Sequence, residues 1–221
     1  MKINFLSLRE SALFAGISEE EFQIIGECLF VREKKVRKES FVFRSGDSVR
    51  YVYLILSGSM HIISEDFWGN RSIIETMNKD VLFGEAYVFA AREQHLVSVI
   101  AAEDSVVLEI DPKKLFETCP KACTCHTRMV RNALNIVSEK IVRLTEKLEH
   151  VTRRTTREKL LSYLSACSQK AKADAFHIPY SRQQLADFLC VDRSALSHEL
   201  SKLQREGLVR YQKNQFELLV K

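Results

Sequence analysis

No apolar run in these 221 residues approaches the ~20 needed to cross a bilayer, which argues against a membrane-spanning helix. The opening stretch, MKINFLSLRESALF, lacks the apolar centre and small-residue cleavage site of a secretory signal. A cytoplasmic location without a membrane partner is therefore expected. The six cysteines are expected mostly as thiols, not as a disulfide framework. Catalytic signatures are also missing. There is no G-x-S-x-G, no phosphate-binding P-loop and no H-E-x-x-H, and Ser, His and Asp carry no local pattern. An enzyme is not expected. Low-complexity segments, internal repeats and CxxC spacing are absent too.

What is present is ordinary in bulk and uneven in distribution. Hydrophobic content of 46% and charged content of 28% suit a globular chain of one or two domains. The net charge of +4 hides an asymmetry. Residues 153–221 hold 13 Lys and Arg against 7 Asp and Glu, whereas residues 1–152 hold 20 against 22. The basic excess thus sits at one end, as phosphate binding requires.

That end contains SRQQLADFLCVDRSALSHELSKLQREGL at 181–208. Leu185, Ala186 and Leu189 give one short helix an apolar face, and Val191, Leu196, Leu200 and Leu203 give a second helix another. Asp192 stands where the second helix should begin, since its carboxylate can accept free backbone N–H groups. Arg193, Ser194, Ser197 and His198 fall on the outer face near that start, the donor-rich end that enters a major groove. Leu208–Tyr211 and Gln215–Leu219, flanking the polar turn Gln212-Lys213-Asn214, predict a β-wing. The residues assigned to double-stranded DNA are Arg182, Gln183, Arg193, Ser194, Ser197, His198 and Lys202, with Arg182 expected on a phosphate.

Upstream, the pattern is short strands and turns. Strands are expected at 41–43, 51–56, 59–64, 72–77, 97–101 and 106–110, with a hairpin tip at Phe67-Trp68-Gly69-Asn70. This spacing predicts a small barrel or jelly roll, preceded by a helix over 19–29 capped by Ser18. A long helix should follow, with Pro120 at its first position. Along it Val130, Leu134, Val137, Ile141, Leu144, Leu148 and Val151 recur at alternating spacings of four and three. That a/d seam over three heptads predicts pairing with the same helix of a second copy, not packing on its own domain alone. A polar hinge at 152–156 leads on to the basic end.

Barrel, long helix, hinge and winged helix-turn-helix, in that order, resemble the cyclic-AMP receptor protein and fumarate–nitrate regulator (Crp/Fnr) family of bacterial transcription factors. The residues carrying the resemblance are FVFRSGDSVRYVYLILSGSMHI, the Phe83-Gly84-Glu85 turn and LADFLCVDRSALSHEL. It covers almost the whole chain. It implies an α+β fold with a cyclic-nucleotide-binding-like β-roll (jelly roll) over 1–118, a dimerisation helix over 119–151 and a winged helix-turn-helix over 152–221. It implies a homodimer on a palindromic operator, RNA polymerase as partner if the protein is an activator, and gating by a small-molecule effector. In relatives that bind cyclic nucleotide, a Gly-Glu pair is followed by Arg-Ser or Arg-Thr, the Glu on the ribose hydroxyl and the Arg on the cyclic phosphate. Here Gly84 and Glu85 match, but His95 and Leu96 stand at the second pair. An imidazole and an isobutyl group replace a guanidinium fork poorly, so cyclic AMP is not expected. Gly84, Glu85, Tyr87, Phe89, His95 and Leu96, with Val88 and Val97, either line a pocket for another small molecule or are plain barrel core. In the recognition helix the family's Glu and final Arg fall on Ser194 and His198, so the operator need not match the usual half-site. Cys190 stands where the turn commonly has glycine.

The alternative sensing route is the cluster Cys119, Cys123, Cys125 and His126. The resemblance extends to relatives that sense through iron–sulfur clusters or thiols, which makes a redox or metal sensor with the same DNA module the second reading. Against it, these spacings on one helix do not converge on a single metal. Small apolar residues at a helix–barrel junction would look the same. Cys167 and Cys190 sit in apolar patterns and are expected in the core. His61, His150 and His177 are expected in surface or packing roles.

Overall fold

The run Val-Tyr-Leu-Ile-Leu at 52–56 is apolar at every position, the mark of a strand covered on both faces. In the computed structural model, which describes residues 8, 11–22, 31–69, 71–116 and 124–219, it does become such a strand. The chain divides into two compact units, residues 1–139 and 140–221.

The first unit holds eight described strands: β1 (Val31–Val36), β2 (Phe41–Phe43), β3 (Val52–Ser57), β4 (Met60–Glu65), β5 (Arg71–Met77), β6 (Leu82–Phe83), β7 (Ser98–Ala101) and β8 (Ser105–Ile110). They form two antiparallel sheets in the orders β1-β8-β3-β6 and β2-β7-β4-β5. Every expected strand is there, shifted by a residue at most. β1 and β6 were not expected. β1 reads Arg-Glu-Lys-Lys within two valines, an edge strand whose charges hide its period, and β6 has two residues. Tyr53 and Ile55 of β3 point into the core between the sheets with Phe43, Met60, Met77, Phe83, Val99 and Val107. Val52, Leu54 and Leu56 alternate to the other face and join Leu13, Phe14, Leu108 and Ile110 in a second core.

Two short helices, α1 (Glu85–Phe89) and α2 (Pro112–Phe116), interrupt and follow the strands, and α3 (Thr124–Val151) comes next. The expected cap at Ser18 is present: Glu21 N–H donates to Ser18 Oγ at 3.2 Å and Ser18 N–H to Glu21 Oε2 at 3.0 Å. The rest of that helix, Asn70, Cys28, Cys119, Pro120 and Cys123 lie outside the described residues.

α3 has two apolar faces. Cys125, Met129 and Ala133, spaced by four, are buried against the outer core of the β-roll, with Ile136 packed beside them. Asn132 Nδ2 donates to the carbonyls of Leu13 at 3.0 Å and Ala15 at 2.9 Å. The seam lies elsewhere on the same helix: Leu134, Ile141, Leu144 and Leu148 are exposed, while Val130, Val137 and Val151 are half-buried.

The second unit contains the end of α3, then α4 (Thr156–Ala171), β9 (Ala175–His177), α5 (Arg182–Phe188), α6 (Arg193–Arg205), β10 (Val209–Gln212) and β11 (Gln215–Leu218). The polar hinge resolves into an N-cap, because Thr155 and Glu158 form a reciprocal capping box on α4. The wing is a three-stranded sheet, β10-β11-β9, and β9 was not expected from its three residues. Gln212 pairs with Gln215, so the hairpin loop is Lys213-Asn214 alone. Leu160, Leu164, Leu185, Leu196, Leu200, Leu203 and Phe216 make the core. His150 is buried here in a packing role: its Nδ1 lies 2.8 Å from Ser162 Oγ and its ring meets Tyr163 edge-on.

His95 and His150 share one property. Burial pushes both imidazoles below the usual histidine range of about 6.5, outweighing Asp47 near His95 and Glu149 and Glu146 near His150. Folding therefore favours the neutral rings, and just below the ordinary histidine pKa the unfolded chain binds more protons than the folded one. Stability should be full above pH 6.5 and decline as pH falls below it. Thermal midpoints measured from neutral pH to mild acid should drop, and the double variant His95→Phe, His150→Gln should flatten that slope. A wild-type midpoint level across the range counts against both assignments.

Candidate nucleic-acid interface and sensor barrel

Helix α5 begins with a capping box in which Gln184 N–H donates to Ser181 Oγ at 3.3 Å and Ser181 N–H to Gln184 Oε1 at 2.8 Å. It ends in a tight turn. Cys190 has φ of 52°, its N–H donates to Asp187 O at 3.2 Å, and Val191 N–H donates to Ala186 O at 3.0 Å. This left-handed position suits glycine, and a side chain there costs about 1–2 kcal/mol. The conformation also turns Cys190 outward, so it is exposed instead of belonging to the core as its apolar neighbours suggested. Cys167 is half-buried against that core. The ammonium of Lys159 donates to the carbonyls of Leu189 at 3.3 Å and Cys190 at 3.5 Å, tying the turn to α4.

Asp192 is the N-cap of α6, as its position implied. Its carboxylate accepts from Ser194 N–H at 2.8 Å and Ala195 N–H at 3.0 Å, and also from the Ser194 hydroxyl. These bonds, the Ser194 hydroxyl foremost, hold the carboxyl below the usual carboxylate range. Ser194 is thus engaged by the cap. Leu196, Leu200 and Leu203 are buried, which leaves Arg193, His198 and Lys202 exposed and Ser197 half-buried. On α4, Arg157 reaches Glu199 at 3.2 Å and Glu206 at 2.5 Å. Such pairs at a wet surface contribute little each, and both join one guanidinium of α4 to α6, whose seat is the core contact of Leu196, Leu200 and Leu203. Sequence reasoning missed Arg157 and Lys159, since a basic residue gives no sign of which acceptor it will meet.

Gln183 is exposed and donates to Asp187 Oδ1 at 2.8 Å. Arg182 departs from expectation. It is half-buried, its guanidinium lies 5.0 Å from the Tyr211 ring centre and 5.5 Å from that of Phe216, and it donates to Lys213 O at 3.3 Å. Its guanidinium is engaged by the wing.

In the β-roll, Gly84 caps α1 with φ of 79°, and a Cβ there would meet Tyr53 at 3.2 Å and the Tyr51 carbonyl at 3.3 Å. Glu85 follows it, buried. His95 is 2% exposed, stacked on Phe43 with ring centres 3.7 Å apart, and Tyr87 meets it edge-on at 5.0 Å. Its backbone is pinned on both sides: Gly46 N–H donates to His95 O at 2.8 Å and His95 N–H to Asp47 O at 3.0 Å. Its Nδ1 has no hydrogen-bond partner among the described residues. The other expected residues do not converge. Phe89 and Val88 pack against the outer core, and Leu96 is 72% exposed, so it forms no part of an inner wall.

Of the cysteine cluster only Cys125 is described, and it belongs to the apolar core beneath α3. His126 beside it is buried with Nε2 donating to Leu115 O at 2.7 Å. Among the described residues no three His, Cys, Asp or Glu side chains are arranged to hold a metal ion. No described helix is long and apolar enough to cross a membrane.

The family model for a cyclic nucleotide-binding domain matches residues 33–121, and the model for a Crp-like helix-turn-helix domain matches residues 158–220. The anaerobic regulatory protein of Bacillus subtilis is 23% identical over 94% of this chain and 86% of its own length. The regulatory protein HlyX of Actinobacillus pleuropneumoniae is 25% identical over 93% and 85%. The solved structure of CprK complexed with OCPA superposes with a TM-score of 0.63 at 16% identity, covering 90% of this chain and 89% of that one, a likeness of fold. The first two are named as regulatory proteins, not as enzymes. With a β-roll, a long helix and a winged helix-turn-helix, the chain belongs to the Crp/Fnr family of transcription regulators.

Proposed function

We propose that this chain is a cytoplasmic, homodimeric regulator that binds a two-fold symmetric DNA operator and is gated by a small-molecule effector other than cyclic AMP. The observation that carries the reading is the free face of α6. Arg193 and His198 project from a helix whose opposite side is locked into a core, and whose start is capped by Asp192. Arg193 has the fork to bond guanine O6 and N7, and His198 and Ser197 can donate to base edges. Exposed Lys202 and Gln183 are suited to the DNA backbone.

Dimerisation is inferred from α3. Ile141 and Leu144 are 58% and 60% exposed on a stripe that repeats as a coiled-coil seam does. The proposed division is a sensor over 1–118, a dimerisation helix over 119–151 and a DNA-binding domain over 152–221. RNA polymerase is the further partner if the protein activates.

The effector assignment rests on His95. At the place where nucleotide-binding relatives carry arginine, the described residues present a buried ring held neutral by its surroundings and stacked on Phe43. Gly84, Glu85, Tyr87 and His95 offer a cyclic phosphate no cation. In the cavity bounded by Phe43 and Asp47 the cations Arg32 and Lys34 are already paired with the buried Glu109 carboxylate at 2.6 and 3.4 Å, so an anion there would compete with that carboxylate. Gly84, Glu85, Tyr87 and His95 remain as the candidate effector site. An effector acts there only if it binds two states of the β-roll unequally.

Three outcomes are expected. Binding to a symmetric site should weaken steeply with salt, and Arg193→Ala or His198→Ala should each remove about 1–3 kcal/mol of discrimination between sites. Equal losses on selected and random duplexes would defeat the base-reading assignment. Ile141→Glu or Leu144→Glu should yield monomers in sedimentation, because like charges would face each other in the seam; a monomeric wild type at micromolar concentration refutes the dimer. Calorimetry with cyclic AMP should record no heat of binding, and a micromolar dissociation constant would overturn the reading of His95.

A further inference from the structure

We infer that Arg182 is a positioning residue for the wing, holding Lys213 at the hairpin tip where its ammonium meets a DNA phosphate. The inference rests on the DNA-binding reading above and adds to it a division of labour between two cations.

The geometry begins with the loop. Two-residue hairpin loops favour glycine or asparagine where φ is positive. Here the first loop residue is Lys213, with φ of 53°, so the tip is strained and needs outside support. Both loop carbonyls receive it. Asn214 O accepts from Ile178 N–H at 3.0 Å, and Lys213 O accepts from Arg182 Nη2 at 3.3 Å. The Arg182 guanidinium also lies against two wing rings, Tyr211 of β10 and Phe216 of β11, which are themselves stacked 5.7 Å apart. A planar delocalised cation suits this stack, whereas an ammonium does not. Arg182 is the first residue of α5, next to its Ser181 cap, so the strut runs from a fixed helix start to the wing tip.

The same contacts decide which cation is available. Burial shifts Arg182 downward, and leaving the wing for a phosphate would strip both rings and the Lys213 carbonyl of their partner. Arg210, the other wing cation, is paired with Glu217 at 2.9 Å. Lys213 is exposed and has no ion pair among the described residues.

The test is a double-mutant cycle in the full-length protein, read as the salt dependence of binding to a random-sequence duplex. Each lost phosphate contact lowers the log–log slope by about 0.9. Lys213→Ala and Arg182→Ala should each lower it by that amount per protomer, and the double variant should lower it no further. Arg182→Lys keeps the charge but not the plane, so it should behave like Arg182→Ala. Amide exchange without DNA supplies the second readout: in Arg182→Lys the amides of Lys213 and Asn214 should exchange faster, with those of Leu196 and Leu200 unchanged. Additive slopes, or a wild-type slope for Arg182→Lys, would place Arg182 itself on a phosphate and overturn the inference. A wild type that binds no duplex would instead remove the DNA-binding reading on which it stands.

Discussion

One continuous helix has to satisfy apolar surfaces that point in different directions, and much of the rest follows from that constraint. In its first half α3 buries Cys125, Met129 and Ala133 under the β-roll. In its last turns it buries His150 against Tyr163 and Ser162 of the DNA-reading unit. Between these, Leu134, Ile141, Leu144 and Leu148 face outward. A surface helix in a monomer needs one apolar stripe. Here a further stripe, spaced as a coiled-coil seam, is left exposed, and it is this surplus that the proposed dimer would cover.

The two units solve the problem of a polar group in a core in different ways. In the DNA-reading unit polar side chains cap and tie elements together: Asp192 on α6, Thr155 on α4, Lys159 on the Cys190 turn, and Arg157 across to Glu199 and Glu206. Each contributes modestly beside the core contact of Leu196, Leu200 and Leu203 that seats α6. The β-roll buries two kinds of polar group: an imidazole pressed on Phe43, and the Glu109 carboxylate, which Arg32 and Lys34 pair. The imidazole offers a neutral aromatic face, while the buried anion is held only because two cations meet it.

Side chains that look alike in sequence have different work in the fold. Arg182 and Arg193 both open helices of the same motif, but one is laid against Tyr211 and Phe216 while the other is exposed. Ser194 and Ser197 both fall on the reading face, and the first is engaged by the Asp192 cap. Cys125 and Cys190 both sit in apolar surroundings, and only the first is buried.

Local pattern alone determined the order of elements. The period-two runs of the β-roll, the fours and threes of α3, the N-caps at Ser18 and Asp192 and the polar loop of the wing are properties of neighbouring residues, so they are legible in a string of letters. β1, β6 and β9 were hidden because their pairing partners lie far away in the chain, and short or charged strands take their identity from those partners. Tertiary structure alone decided which charged and polar side chains are free. Whether Arg182 faces a phosphate or a ring depends on β10 and β11, some thirty residues downstream. That His95 stacks on Phe43 while Leu96 turns to solvent depends on how two sheets close. A residue's type states what it can bond; only the packing around it states what is within reach.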